Sequence, residues 1–518
     1  MISCAAMEAS EVQSAGTTGE LSKEIERMGR ELTRKVQGQL TGWLNARNPG
    51  SFRETELEIS AVAQKFADQV TGLLLEAATR DLAFRAETSS AVRAAGVKLL
   101  DGGARDVEIQ LLGGGAVRVR TNYFRPDLSG RPGRKRGHGR RGPGGAGVYP
   151  VLAALGVAFG VSPALAVEIC RQVADSDSVR AGRSALDRRG IDLGHKQTLR
   201  IFNGFAQRAV EQRFAWLEQQ RKGPLPERGA LQGKRVVVTT DGGRIRERIA
   251  LPGRPRKETG HHRYEAPWRE PKLLVIYVVD EKGKVDPDFR PIYDGTLGDC
   301  EALFLMLVGY LRALGAHQAE EITFLGDGAL WIWGRTAELA RLAGVSAERV
   351  HEVVDWYHAI ETLGKVAKLR VRWAEGEQAQ WLDEATTALY AGDISKVEAL
   401  INTLAVGRRA TAVKKHVPYF SRNKARMQYA TFREQRVPIG SGSVESAIRR
   451  VVNMRMKSNA TFWKEENAEG MILMRCYLKA GRFDDLADWS TAEAARWWSP
   501  GSRSSSPLAE IRPNVAPS

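Results

Sequence analysis

Hydrophobic positions near the N-terminus recur at helical spacing. In residues 21–44 apolar side chains follow one another at steps of three and four, and a second stripe of this kind occupies residues 54–79. Two long amphipathic helices are therefore expected, either packed on each other as a hairpin or used as a dimerisation arm. Both alternatives stay open, because the charges lack the clean e and g pattern of a coiled coil.

The pattern then changes to strict alternation. Residues 107–111 and 116–124 flank a Gly-Gly-Gly turn, and Arg118 and Arg120 alternate with valines, which predicts a β-hairpin with one cationic face. Residues 130–147 are rich in Gly, Pro and Arg, a composition typical of a flexible linker. The cations of this linker are candidate phosphate ligands: Arg134, Lys135, Arg136, Arg140 and Arg141.

Residues 149–219 have helical periodicity with short breaks, and they suggest a helix-turn-helix region. Ser162 opens one helix, and Gly190 falls in the turn before another. Lys196 and Arg200 lie near the start of that second helix, where a DNA-reading helix would place its contacts. Short helix pairs of this kind also occur in proteins that bind no DNA, so DNA binding here is a hypothesis.

The second half of the chain carries β-branched runs that stop at aspartate. Strands are expected at residues 236–240, 273–279, 291–293, 320–325 and 350–354, with a helix at 299–315. Asp241, Asp327 and Asp355 follow three of these strands, where a carboxylate can face a cleft at the edge of a sheet. Aspartate is also frequent in plain turns, so neither Asp241 nor Asp327 alone indicates a site. A pair of them could share Mg²⁺, which prefers oxygen ligands.

A further helix is expected after the sequence Gly440-Ser-Gly-Ser, with Glu445 in its first turns. Helix starts expose backbone N–H groups that suit phosphate. Cations that follow Glu445 are candidates for contacts with a nucleic-acid backbone: Arg449, Arg450, Arg455 and Lys457. The alternative is an ordinary capped helix with a solvated basic face.

Composition narrows the class of protein. The 518 residues include 77 Lys and Arg against 61 Asp and Glu, a net charge of +16, which favours a polyanionic partner such as nucleic acid. The four cysteines stand apart, which argues against a disulfide scaffold or a cysteine zinc site and fits a reducing cytoplasm. Apolar runs are far shorter than the roughly 20 residues of a membrane span, and the N-terminus does not read as a secretory signal.

Four motifs in order resemble the DDE transposases of bacterial insertion sequences, most nearly the ISKra4-like group. They are Asp241-Gly-Gly-Arg, Gly326-Asp-Gly-Ala-Leu-Trp-Ile-Trp, Asp355-Trp-Tyr-His and Gly440-Ser-Gly-Ser-Val-Glu-Ser, and the resemblance covers roughly residues 235–489. It implies an RNase H-like catalytic core and a catalytic triad of Asp241, Asp327 and Glu445. The triad would bind two Mg²⁺ ions, with Mn²⁺ as an acceptable substitute.

The resemblance also assigns supporting roles. Asp355 and His358 resemble the Asp/Cys-x-x-His motif of Mutator-like elements, and His358 could contact a phosphate or support the metal site. The alternative is a strand-ending aspartate with a locally satisfied histidine. Glu445 follows Asp327 by 445 − 327 = 118 residues, a separation that resembles the helical insertion of related transposases.

The predicted fold class is α/β: an RNase H-like core with a helical insertion, preceded by a mainly α-helical DNA-binding region. The predicted segments are a helical arm (1–100), a β-hairpin and basic linker (101–148), a helix-turn-helix-like region (149–230), the first part of the core (231–360), the helical insertion (361–435), the last part of the core (436–498) and a disordered tail (499–518).

The predicted function is that of a DDE transposase, which cleaves and transfers the DNA strands of an insertion sequence. Its predicted partners are double-stranded DNA (element ends and target) and further copies of itself, in the cytoplasm at the nucleoid and without a membrane. Alternatives are an RNase H-like nuclease or resolvase without transposition, and a domesticated DNA-binding protein. A Rossmann-type enzyme is disfavoured, because no G-x-G-x-x-G follows the first strand.

Overall fold

A computed structural model describes residues 4–46, 49–94, 99–126, 147–256, 260, 262–328, 333–458 and 461–492. The chain divides into two units: residues up to Arg208 together with those from Asp484 form the first, and Ala209–Phe483 form the second. The boundary lies inside the segment 149–230, which we had predicted as one region. The five predicted phosphate ligands of the basic linker and the predicted disordered tail lie outside the described residues. Within the described ranges, no helix combines the length and the apolar character needed to cross a bilayer.

The first unit begins with two long helices that pack on each other. Its elements are α1 (Cys4–Ala46), α2 (Phe52–Arg80), α3 (Leu82–Ala94), β1 (Leu99–Gln110), β2 (Ala116–Pro126), α4 (Pro150–Ala154), α5 (Pro163–Asp175), α6 (Val179–Asp187) and the start of α7 (His195–Lys222). The pairing of α1 with α2 is the hairpin alternative of the sequence analysis. Leu40, Leu44 and Leu57 remain about half exposed on it, and dimerisation stays a prediction.

The predicted β-hairpin forms, but its outer face is not cationic. β1 and β2 pair antiparallel, with Asp106 opposite Arg120 and Glu108 opposite Arg118. These pairs lie 3.5 and 3.3 Å apart, so each arginine faces a carboxylate. The prediction failed because it considered the second arm alone, whereas the first arm presents acids at the same register. On the inner face, Ile109 and its neighbours pack against α2 and α4.

The region predicted as helix-turn-helix is helical. The Ser162 hydroxyl accepts a hydrogen bond from the Leu165 N–H and caps α5, a typical N-terminal cap. Gly190 lies between α6 and α7 with φ of 79°, a left-handed conformation that favours glycine. Lys196 and Arg200 lie exposed in the first two turns of α7, and Arg200 donates to the Phe159 carbonyl. Their DNA contacts stay a prediction.

The second unit is built around a five-stranded mixed sheet. Its strands are β3 (Arg235–Gly242), β8 (Lys272–Val279), β9 (Ile292–Thr296), β10 (Glu321–Gly326) and β11 (Val350–Val354), in the order β11-β10-β3-β8-β9. β8 runs antiparallel to both of its neighbours, β3 and β9, whereas β10 and β11 run parallel to β3. Four two-residue strands form a ribbon between β3 and β8: β4 (Ile245–Arg246), β5 (Ile249–Ala250), β6 (Tyr264–Glu265) and β7 (Trp268–Arg269).

Helices cover this sheet, which is why its strands read as continuous apolar runs. The helices from Cys300 onward are α8 (Cys300–Ala313), α9 (Thr336–Leu342), α10 (Trp356–Ala367), α11 (Glu377–Tyr390), α12 (Ile394–Thr403), α13 (Ala410–Lys414), α14 (Val417–Arg422), α15 (Tyr429–Glu434), α16 (Gly442–Ile448), α17 (Glu465–Lys479) and α18 (Phe483–Ala492), the last assigned mostly to the first unit. Helices α10–α15 account for the predicted helical insertion. α8 packs on β8, α17 on β9, and α16 on β3 and β8.

A buried ion network joins the helices to the edge of this sheet. The guanidinium of Arg213, on α7, lies 2.7 Å from Asp294 on β9 and 2.7 Å from Glu469 on α17. Tyr310 on α8 donates to the other Asp294 oxygen at 2.6 Å. Because all of these groups are buried, they hold four elements together only while every charge stays paired.

Candidate acidic site

Three aspartates meet at one edge of the sheet because of strand register. Thr239 pairs with Leu325 between the parallel strands β3 and β10, so Asp241 and Asp327, each two residues further on, are level with each other. Gly326 pairs with Val354 between β10 and β11, so Asp355 is level with Asp327 in turn. Parallel neighbours at matching register carry their side chains on the same face. The three carboxylates therefore collect at the carboxyl ends of adjacent strands.

Glu445 reaches the same edge from the helix α16. The segment before α16 is fixed to the end of β11: the Trp356 N–H donates to the Ile439 carbonyl at 2.8 Å, and the Ser441 N–H donates to the Asp355 carboxylate. α16 then packs across β3 and β8, with Glu445 in its first turn. An acid 118 residues after Asp327 in the chain is thus brought beside the strand-end aspartates.

His358 links Asp355 to Glu445. Its Nδ1 lies 3.2 Å from Asp355 Oδ1 and 3.8 Å from Glu445 Oε1. The hydrogen bond with Asp355 raises the pKa of His358 to about 9, although burial opposes the shift, and the neighbouring acids add to it. The imidazole is therefore a cation at neutral pH and offsets part of the negative charge around it.

Both carboxylate oxygens of Asp355 accept hydrogen bonds from neighbouring residues. One oxygen accepts from the His358 N–H at 2.8 Å and so caps α10, and the other accepts from Ser441. Burial opposes ionisation of Asp355, but hydrogen bonds from His358 and Ser441 hold the pKa of its carboxyl below the usual value. A supporting role of Asp355 and His358 at a metal site stays a prediction.

The electrostatics place Asp241 at the centre of the cluster. The pKa of Asp241 is raised to about 6, chiefly by burial and also by the Asp327 and Glu445 carboxylates, while the Gly242 N–H and His358 oppose the rise. The Gly242 N–H donates to Asp241 Oδ1 at 2.7 Å. A carboxyl whose charge is disfavoured by two neighbouring acids gains most from a cation placed among them.

Two overlapping groups of side chains could hold a cation. Asp355, His358 and Glu445 have potential ligand atoms within 4.8 Å of one another. The oxygens of Asp355, however, already accept hydrogen bonds from the backbone of the site. Asp327 and Glu445 each act electrostatically on Asp241, although the ligand atoms of these three acids do not lie as close together as those of the first group. This second set offers only oxygen ligands, the donor type that Mg²⁺ prefers.

Tyr419, in the helical insertion, was missed in the sequence analysis. Its hydroxyl donates to the Asp327 carbonyl at 3.2 Å, and its ring lies over Gly328. Gly328 has φ of 90°, and a Cβ there would lie 2.7 Å from the ring. Only glycine fits this turn without strain, so Tyr419 and Gly328 together fix the backbone that carries Asp327.

The cations predicted after Glu445 have different environments. α16 ends at Ile448, and a π-helical turn, Arg449–Asn453, follows it. Arg449 and Lys457 are exposed, and Arg450 donates to the Tyr293 hydroxyl at 2.9 Å. Arg455 is buried, with its guanidinium 5.3 Å from the centre of the Trp463 ring, and is removed from the set of candidate DNA contacts.

Comparisons with known proteins do not assign the chain to a family. No protein-family model matches the chain, and no curated protein matches it. Among solved structures, the chain is similar to one from the Drosophila P element transposase strand transfer complex, at 13% identity over 65% of this chain and 82% of that one, with a TM-score of 0.20. A TM-score this low carries no argument about fold or function.

Proposed function

We propose that this protein is a DDE-type transposase that cleaves and joins DNA strands by metal-dependent phosphoryl transfer. One observation carries the proposal: three acids distant in sequence, Asp241, Asp327 and Glu445, lie near enough to interact, and the pKa of the Asp241 carboxyl is raised to about 6. Asp241 accepts a single backbone N–H, from Gly242, in the contacts described above, and two further acids disfavour its charge. Such a cluster is typical of a metal site for phosphate chemistry.

The sheet order supports an RNase H-like core. Three successive antiparallel strands, β3, β8 and β9, are followed by β10 and β11, which lie parallel to β3 on its other side. This is the arrangement expected of RNase H-like domains, and the acids lie where that fold would carry them. The helical insertion α10–α15 between the last strand and Glu445 agrees with the motif resemblance.

The carboxylates suit two divalent ions. Asp241, Asp327 and Glu445 would together hold these ions. Bound there, Mg²⁺ or Mn²⁺ would activate a water or a 3′-hydroxyl as nucleophile and stabilise the leaving oxygen. His358 keeps the Glu445 carboxylate beside the strand ends, because the imidazolium lies between Glu445 and the buried Asp355.

The remaining parts of the proposal concern partners. The charge of +16 favours DNA, and the exposed Lys196, Arg200, Arg449 and Lys457 are candidate contacts with its backbone. We further propose that the protein acts on double-stranded element ends and target DNA as a homo-oligomer, in the cytoplasm at the nucleoid.

The test is cleavage of a supercoiled plasmid that carries the gene with its flanking DNA. Full-length protein is expected to nick this plasmid with Mg²⁺ or Mn²⁺ and not with EDTA, and Asp241→Asn, Asp327→Asn and Glu445→Gln should each abolish nicking while DNA binding persists. The matched control is Glu281→Gln, an exposed acid of the same unit. Nicking by Asp241→Asn at the wild-type rate would refute the proposal.

Adding a target plasmid to the same reaction distinguishes a transposase from a nuclease or resolvase. Joined products indicate a transposase. Nicking without joined products indicates the nuclease or resolvase alternative. Binding without either indicates a domesticated DNA-binding protein, although the meeting of all three acids argues against this.

A further inference from the structure

An antiparallel ribbon leaves the sheet directly after Asp241 and returns to it at β8. β4 pairs with β7 and β5 pairs with β6. Between the two pairs, the Glu247 N–H donates to the Pro267 carbonyl at 2.9 Å, so the two arms stay joined along their length. We call residues 244–256 and 262–270 the ribbon. Its position means that whatever it binds is presented next to the first strand-end acid.

The base of the ribbon is fixed to the chain that follows the Glu445 helix. The Trp463 N–H donates to the Arg246 carbonyl at 2.9 Å, and the Arg248 N–H donates to the Trp463 carbonyl at 2.7 Å. Gly243 lies so close to the π-turn that a Cβ there would be 2.9 Å from Val452. The ribbon is thus attached in two places near the acidic cluster: it continues from the strand that carries Asp241, and it is hydrogen-bonded to the segment that follows Glu445.

The ribbon exposes two aromatic rings. Trp268 is 52% exposed and Tyr264 is 42% exposed, although both belong to paired strands. A guanidinium lies over each ring, Arg246 at 4.8 Å from the centre of Trp268 and Arg248 at 4.4 Å from the centre of Tyr264. Alternating rings and guanidinium groups on an open surface are the arrangement that stacks on nucleic-acid bases.

The charge of the ribbon favours a phosphate backbone beside those bases. It contains seven arginines and three glutamates. Glu247 is engaged by Arg269 at 3.1 Å, and the arginines of the ribbon outnumber its glutamates by four. Arg246, Arg248, Arg254, Arg256 and Arg263 are all exposed. The ribbon therefore presents cations and flat apolar rings together, which suits a polyanion with accessible bases.

We propose that the ribbon binds unpaired DNA beside the acidic cluster, with Trp268 and Tyr264 stacked on bases and the arginines on phosphates. This inference rests on the proposed function, because it names the form of DNA that reaches the site. Unpaired rather than duplex DNA is assigned because the faces of bases in a duplex are already stacked and cannot meet these rings. The scissile strand would be opened before it reaches Asp241.

The test measures binding without metal, so that it does not depend on catalysis. Full-length protein in EDTA is titrated with a labelled oligonucleotide as single-stranded DNA, as blunt duplex and as single-stranded RNA, followed by fluorescence polarisation. Trp268→Ala should weaken binding of single-stranded DNA by about fivefold or more, the lower end of what one stacked base contributes. Duplex binding should change less than about twofold, and Trp268→Phe should retain most of the affinity.

The control is Phe52→Ala, which removes a similarly exposed aromatic ring from the other unit. Melting temperatures of all variants should agree, because Trp268 is half exposed. Unchanged single-strand binding in Trp268→Ala, an equal loss on duplex, or tighter binding of RNA than of DNA would each overturn the inference. Failure of the proposed function has a different signature, since cleavage would then persist in Asp241→Asn regardless of how Trp268→Ala binds.

Discussion

Replacing Asp241 with asparagine should stabilise the metal-free protein. The pKa of Asp241 rises from 3.8 to about 6 on folding. One pKa unit corresponds to about 1.4 kcal/mol, so keeping this carboxyl ionised above pH 6 costs the folded state about 3 kcal/mol. Asp241 is partly open to solvent, which screens the effect, and we expect a gain of about 1–3 kcal/mol for Asp241→Asn. Asparagine retains an oxygen that can accept the Gly242 N–H.

The sign of the pH dependence follows from proton linkage. Between pH 4 and 6 the folded protein binds more protons at Asp241 than the unfolded chain does, so the stability of the wild type falls as the pH rises. The cost is nearly absent at about pH 4 and complete above about pH 6. The advantage of Asp241→Asn should therefore be largest at neutral pH and mostly disappear near pH 4.

Thermal unfolding in EDTA, followed across this pH range, measures the effect. For a unit of this size, 1–3 kcal/mol corresponds to a rise in melting temperature of about 2–10 °C. Added Mg²⁺ should stabilise the wild type and leave Asp241→Asn nearly unchanged, because the variant lacks one of the carboxylates proposed to hold the ion. Glu281→Gln serves as the control. Equal or lower stability of Asp241→Asn at neutral pH, or a gain that persists at pH 4, would refute the electrostatic reasoning.

Three further substitutions test other parts of the second unit. Arg213→Met leaves two buried carboxylates unpaired and should cost about 3–5 kcal/mol in urea unfolding, and a loss below 1 kcal/mol would contradict the assigned network. His358→Asn should slow metal-dependent nicking about 10- to 100-fold with DNA binding unchanged, since it removes the group that orients Glu445. Gly328→Ala should slow nicking and destabilise the unit by about 1–3 kcal/mol, and Tyr419→Ala in the same chain should recover part of both, whereas strictly additive losses would exclude the predicted clash.

The strands and their terminal acids could be predicted because they depend on local pattern. Runs such as residues 236–240 are β-branched and end at Asp-Gly. Neighbouring residues therefore predict both the strand and the carboxylate at its end. The alignment of Asp241 with Asp327 was not readable in this way. It depends on which strands pair and at what register, and these are set by contacts between distant segments.

The errors have the same origin. Arg118 and Arg120 appeared free because the acids opposite them belong to another strand. Arg455 was a candidate DNA contact because it follows Glu445 among other cations, but it is buried beside the Trp463 ring. Tyr419 gave no signal, since a tyrosine in a polar helix contacts a strand end only through tertiary packing. The sequence shows which side chains each strand or helix carries. The contacts of those side chains depend on the strands and helices that pack against them.

The position of Glu445 has a consequence for synthesis on the ribosome. Asp241 and Asp327 emerge early, together with the strands that hold them, whereas their third partner follows only after the whole α-helical insertion has been translated. A nascent or prematurely terminated chain would therefore hold two of the acids without the third. If the proposed cleavage needs all three carboxylates, a chain that stops before Glu445 would lack it even after the strands that carry the two aspartates have folded.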